Sequence, residues 1–315
     1  MHAARFLIGL VLLTGVATCK RSSGDAGGGW LVGASGLMRS IRPDHVAGGF
    51  VPPARHNLNA IAAHNADEAW VAGDHGTLLY TANGGATWQS PAVATTADLR
   101  SVATSNLGPV FVVGNGVFLV SRDTGEHWRD AGDGVTKYRS VAAAQDADTV
   151  LAISDDGGVW SYEHGRLIRR THVLGARTVA VSPDGAIAVA VGDDVIARSS
   201  DGGHTWSRLL TRDHVRYDDV RIDASGQAVA VGSAGAITHV AFDGSVVTQH
   251  LGAVDFHSVH IASIGEIGEN YETVGYVAGD GGRTWVTRDG GWSWAEGPNV
   301  GQTVLGIDEL AASRR

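Results

Sequence analysis

The sequence predicts an all-β fold: a seven-bladed β-propeller of four-stranded blades, with the last blade shared between N- and C-terminal strands. Three observations predict it. A pattern of four short apolar runs recurs about every 40 residues, the length of one propeller blade. Glycine makes up 44 of 315 residues, roughly twice the usual share, and supplies the tight turns that short strands need. The two ends of the chain carry complementary fragments of one further unit.

The first complete unit runs Leu58-Asn-Ala-Ile61, Trp70-Val-Ala-Gly73-Asp-His-Gly76, Leu78-Leu-Tyr-Thr81 and Asn83-Gly-Gly85-Ala-Thr-Trp88. The second runs Leu99-Arg-Ser-Val102, Phe111-Val-Val-Gly114, Phe118-Leu-Val-Ser121 and Asp123-Thr-Gly125-Glu-His-Trp128. Further units start at Tyr138, Ala176, Tyr217 and Phe256. Apolar runs broken by Gly, Asp and Asn make each unit a β-meander. One meander cannot cover both of its faces, and radial stacking does so. The last fragment, Gln302-Thr-Val304-Leu-Gly-Ile-Asp308, reads as a first strand with nothing after it. The segment from Trp30 to Ser40 reads as a second and third strand with nothing before them, and Trp30 and Gly33 repeat the spacing of Trp70 and Gly73. Pairing the two fragments closes the ring over 30–315 and removes an exposed sheet edge.

Composition narrows the function. The chain is 43% apolar and 18% charged, which excludes a disordered chain or a coiled coil. A net charge of −9 argues against nucleic acid as a partner. Lys20 and Lys137 are the only lysines. Residues 1–18 read as a signal peptide: Arg5 gives the positive start, 6–13 is apolar, and Gly15 and Ala17 are small. The apolar run is too short to span a bilayer. The single cysteine, Cys19, cannot form an internal disulfide. The stretch Leu13-Thr-Gly-Val-Ala-Thr-Cys19 resembles the lipobox of bacterial lipoproteins, with Thr18 where the family prefers Gly, Ala or Ser. The resemblance implies a lipidated Cys19, with 19–29 as a flexible tether. The protein is then exported and membrane-anchored in the periplasm or on the cell surface, touching membrane through the lipid alone. Cleavage without lipidation would leave it soluble and secreted.

Four units carry Ser/Thr-x-Asp/Asn-x-Gly-x-x-Trp, placing Asn83 and Trp88, Asp123 and Trp128, Asp201 and Trp206, and Asp289 and Trp294 at equivalent points. The Asp or Asn oxygen accepts backbone N–H groups of its own turn, Gly takes a positive φ, and Trp packs back on the blade. The turns around 161–165 and 240–244 are degenerate. The motif resembles the Asp-box, or BNR repeat, whose role is structural. The phrasing Val-Ala-Gly-Asp-x-Gly followed by Thr-x-Asn-Gly-Gly-x-Thr-Trp is similar to the photosystem II assembly factor type of propeller, over nearly the whole mature chain. That resemblance implies an assembly or scaffolding role without catalysis.

The candidate site follows from the first strands, which line the channel of a propeller. Their second residues, taken in order, are Asn59, Arg100, Arg139, Arg177, Asp218, His257 and Gln302. Two positions later stand Ile61, Val102, Val141, Val179, Val220, Val259 and Val304, a uniformly β-branched core position. The polar ring with three consecutive arginines suits a carboxylate, a phosphate or an acidic segment of a partner. A second reading pairs these arginines with aspartates of the acidic turns, at Asp74, Asp155, Asp156, Asp193, Asp194 and Asp280.

His257 and His260 fall on opposite strand faces, which argues against a shared metal. His260 and Arg221 replace the small residues seen at Ala62, Ala103 and Ala142, so a local polar patch or a satisfied buried histidine is expected there. No HExxH or calcium-loop spacing occurs, so neither a metal nor a cofactor is expected. The insertion at 264–270, with Glu266 and Glu269, lengthens the sixth unit.

The function expected is a non-catalytic, envelope-anchored binding or assembly-scaffold propeller, monomeric, with a protein or acidic ligand docking at the channel mouth. A small-ligand sensor using the channel is a third possibility. The alternative enzyme is a sialidase-like glycoside hydrolase, a family that binds a carboxylate with three arginines. Its Arg-Ile-Pro signature is absent, and the ring offers only Asp218 where two positioned carboxyls are needed.

Overall fold

The computed structural model describes residues 29–309 apart from 43, 53–54, 66, 107, 147, 210–213 and 262–273. The predicted signal and lipidation segment, Cys19 included, and the insertion at 264–270 lie outside the described residues. Each apolar run becomes a strand, and the strands assemble as seven antiparallel sheets in a ring. Blades 1 to 6 are the complete units in chain order. Their first strands are Leu58–Ala63, Leu99–Thr104, Tyr138–Ala143, Ala176–Val181, Tyr217–Ile222 and Phe256–Ile261. In blade 1 the outer strand shrinks to a two-way bridge between Tyr80 and Gln89.

Blade 7 is the shared one. Val304–Glu309 pairs with Gly29–Gly33, which pairs with Leu37–Ile41 and then Val46–Gly49. The N-terminal strand therefore starts one residue before the predicted boundary. The apolar residues meet between blades rather than at one centre, so each neighbouring pair encloses its own cluster. Trp30, Val32 and Met38 of blade 7 pack on Leu58, Ile61 and Val71 of blade 1. Leu151 and Ile153 of blade 3 likewise pack on Val179 and Ala188 of blade 4. Tyr138 and Tyr217, at first-strand position 1, are fully buried as core residues.

The four Trp turns show how the sequence locks a blade's outer hairpin. In blade 2 the Asp123 carboxylate accepts from His127 N–H (2.9 Å) and the Ser121 hydroxyl (2.9 Å), and Ser121 Oγ accepts from Gly125 N–H (2.8 Å). The His127 backbone and side-chain bonds, with the Ser121 hydroxyl, hold the Asp123 carboxyl at about 2, below its ordinary value. The Trp128, Trp206 and Trp294 indoles donate to the turn's Gly125, Gly203 and Gly291 carbonyls. Trp88 Nε1 instead has no hydrogen-bond partner among the described residues, its ring meeting Trp30 in a T-shaped contact. Gly125 adopts φ +85°, and a Cβ there would lie 2.2 Å from the Trp70 ring of blade 1. Each such glycine thus seats the turn on the preceding blade.

Candidate functional site

One irregularity builds the channel mouth. In all seven blades the register between the first two strands shifts at first-strand position 2, so this residue is the extra one of a β-bulge. A bulge leaves its residue unpaired and re-aims the side chain. The seven bulge residues are Asn59, Arg100, Arg139, Arg177, Asp218, His257 and Leu305, and all line a channel of about 640 Å³. The bulge also presses the end of the second strand against backbone. A Cβ on Gly279 would lie 1.9 Å from the Asp255 carbonyl oxygen. Glycine accordingly holds this position in every blade except blade 3, which has Ser154.

Six of the seven predicted ring residues thus come together, and the seventh needs correction. Gln302 lies in the exposed turn before the last strand, and Leu305 takes the ring position. Val304 pairs with Gly33 as Leu58 pairs with Gly73, which makes Ile307, not Val304, the partner of Ile61 in the β-branched layer. The apolar pair Val304 and Ile307, three apart like Leu58 and Ile61, was the signal that sets this register.

The mouth is a chain of partly exposed polar contacts. Asn59 donates to Asp74 (2.8 Å) and to the Leu99 carbonyl (2.8 Å). Arg100 of blade 2 and Arg139 of blade 3 share one oxygen, Asp155 Oδ1, at 2.7 and 3.0 Å. Arg177 reaches Asp193 at 3.5 Å and Asp218 at 3.6 Å. Asp218 is held more closely by Arg216 (3.1 Å) and His257 (2.9 Å). Arg216 also meets Asp255, and His257 also meets Asp280, both at 2.9 Å. Burial opposes ionisation of Asp218, but the His257 hydrogen bond and the Arg216 charge outweigh it and hold the carboxyl below its ordinary value. Burial likewise disfavours a charged His257, yet its bonds to Asp218 and Asp280 raise its pKa. The arginine arc is therefore paired in part within its own blades and in part across them.

Deeper in the channel, position 5 splits the ring. Blades 1 to 4 carry Ala62, Ala103, Ala142 and Ala180, whereas blades 5 to 7 carry Arg221, His260 and Asp308. The Asp308 carboxylate meets His260 at 2.7 Å and accepts from Ala63 N–H of blade 1 at 2.9 Å. Burial would push Asp308 up, but His260 and the Arg221 charge hold it below its ordinary value. Arg221 donates to the Val259 and Ile307 carbonyls. Asp219 is pushed up by burial against the Arg221 charge, and accepts from Ser258 Oγ–H and Val259 N–H, both at 3.0 Å. The polar patch anticipated at His260 and Arg221 is present. Asp219 and Asp308 were missed, the latter because the Gln302 register hid it.

Position 3 ties blade to blade. Ser101 Oγ accepts from Val141 N–H, Ser140 Oγ from Val179 N–H, and Ser258 Oγ from Ile307 N–H, at 3.1 to 3.3 Å. At the seam of the ring this position is Gly306 and Ala60, which carry no hydroxyl. There Asp308 makes the bond to blade 1 instead.

This geometry defines a seven-bladed propeller with a polar channel mouth and an ionic clasp at its closing seam. No family model matches the chain, and no curated protein matches it. Solved structures do. The chain is similar to YCF48 bound to D1 peptide (18% identity, TM-score 0.59, covering 78% of this chain and 83% of that one). It is similar to YCF48 from Cyanidioschyzon merolae (17%, 0.58, 80% and 88%) and to the WD40 β-propeller domain of Doa1 (13%, 0.63, 89% and 90%). At these identities the likeness is one of fold.

Proposed function

We propose that this protein is a non-catalytic binding or assembly-scaffold propeller that docks an acidic protein segment on the arginine arc of its channel mouth. The observation that carries the reading is the sharing of Asp155 Oδ1 by Arg100 and Arg139. Two guanidinium groups offer ten N–H donors and one net charge more than this single carboxylate neutralises. The looser contacts of Arg177 leave its fork open as well. A partner carboxylate entering between Arg100 and Arg139 supplies the second anion that this pair lacks locally.

The neighbour solved with a D1 peptide supports a peptide as the kind of partner. The four Trp turns are read as Asp-boxes with a structural role. Cys19 is read as the lipidated residue that tethers the propeller to the cell envelope as a monomer. The described carboxylates touching the ring residues are each engaged by a cation or an amide, so binding is proposed rather than glycoside hydrolysis.

The test is capture from detergent-solubilised envelopes with wild type beside an Arg100→Gln/Arg139→Gln/Arg177→Gln variant. Glutamine keeps amide donors without placing new charge beside Asp155. A protein retained by wild type and lost by the variant supports docking on the arc. Equal capture by both contradicts it.

A further inference from the structure

The loops that lead into the arc carry an unusual feature. Between blades, the chain crosses the mouth face from an outer strand to the next first strand. Two residues before position 1, blade 5 has Val215, only 3% exposed, and blade 4 has Leu174, 73% exposed. Blade 4 fills the corresponding core place with Val173, 9% exposed, and presents Leu174 beside it as a further aliphatic side chain facing solvent. One junction earlier, Val135 stands 79% exposed, three residues before Tyr138. These two junctions are the ones that deliver Arg139 and Arg177.

The hydrogen bonds place Leu174 among the turns that hold the arc. Val173 N–H donates to the Gly157 carbonyl, in the turn that carries Asp155. Asp193 N–H donates to the Gly175 carbonyl, and Asp193 is the partner of Arg177. The backbone at Leu174 is therefore fixed between the turns that carry Asp155 and Asp193, two of the three carboxylates that meet the three arginines. Val135 is held in the same way: Gly134 N–H donates to the Gly116 carbonyl, and Val135 N–H to Asp133 Oδ1. Both side chains sit on tightly bonded loops, so their exposure is built in.

We infer that the docking surface is amphipathic and that the segment it takes is an acidic peptide carrying aliphatic or aromatic side chains beside its carboxylates. The inference rests on the proposed use of the arc and names the partner class for it. Charge complementarity places carboxylates on Arg100, Arg139 and Arg177, and Leu174 and Val135 then cover the partner's apolar side chains. Burying one such side chain yields roughly tenfold or more in affinity. A lipid surface fits less well, because the arginines line a concavity while the chain as a whole carries −9.

The experiment is selection of a random displayed-peptide library on purified propeller. Three proteins are compared: wild type, Leu174→Ser/Val135→Ser, and the triple arginine-to-glutamine variant. Both serine changes are at exposed sites, and equal melting temperatures confirm the fold. Wild type is expected to enrich peptides that combine Asp or Glu with apolar residues. The serine variant is expected to keep the acidic preference and lose about tenfold of the affinity for the apolar-bearing members. The arginine variant is expected to lose both. Acidic peptides enriched without apolar content, or an apolar preference unchanged in the serine variant, overturns this inference and leaves the arc reading standing. Acidic enrichment that persists in the arginine variant, or that wild type never shows, overturns the arc reading itself. Sedimentation with anionic phosphatidylserine vesicles that depends on Leu174 and Val135 would replace the peptide with a membrane.

Discussion

Two sets of charged side chains line the same channel, and they are built for different ends. At the mouth, Arg100, Arg139 and Arg177 stand on β-bulges, partly exposed, with carboxylates shared or loosely held. At depth, Arg221, His260, Asp219 and Asp308 are enclosed, and their partners include the backbone of neighbouring blades. Exposed pairs contribute little to stability, whereas a buried ion whose partner is removed is costly. In the proposed reading the same residue types serve recognition where water reaches them and ring closure where it does not.

The sharpest way to break this contrast is at the seam. Asp308→Ala removes the only side-chain bond described from the last strand to blade 1, takes away the carboxylate that meets His260, and leaves Arg221 with Asp219 alone. A loss of about 3 to 5 kcal/mol is expected in urea unfolding. A smaller effect belongs to the Trp turns. Asp289 accepts from Ser293 N–H and the Thr287 hydroxyl, both at 2.8 Å. Asp289→Ala is expected to cost about 1 kcal/mol, screened by solvent.

The turns also set an acid limit. Asp123, Asp201 and Asp289 of the Trp turns all titrate below the ordinary carboxylate value in the folded state, Asp123 at about 2. Their stabilisation is present above the unfolded value near 3.8 and is lost as pH falls toward 2. The melting temperature should be flat above about pH 5 and fall steeply below pH 4, less so in a variant with these three aspartates changed to asparagine. At the mouth the sign reverses. His257 has a raised folded pKa, so its bridge between Asp218 and Asp280 contributes below about pH 6.5 and is lost as pH rises through the folded value. An NMR titration should place the His257 midpoint above that of a free histidine, and Asp218→Asn should lower it.

Much of this was legible in the sequence. Repeated spacing revealed the blades, and the matching ends revealed the shared one, because each blade buries the same positions against its neighbour. The arginine arc was legible because consecutive blades repeat a polar residue at one place. The bulge was not, since an unpaired residue looks in sequence like ordinary strand alternation. That blindness is why a polar residue, Gln302, was aligned with the ring when the apolar spacing of Val304 and Ile307 required Leu305. Asp219 and Asp308 were invisible for a related reason: each answers a residue on another blade, and only closure brings them together.

The most direct test sets the two layers side by side in urea unfolding, with wild type, Arg100→Gln/Arg139→Gln/Arg177→Gln and Asp308→Ala. The account predicts a mouth variant within about 1 kcal/mol of wild type and a seam variant lower by about 3 kcal/mol or more. A mouth variant that unfolds as readily as the seam variant would make the three arginines struts of the ring and contradict their role as a binding surface.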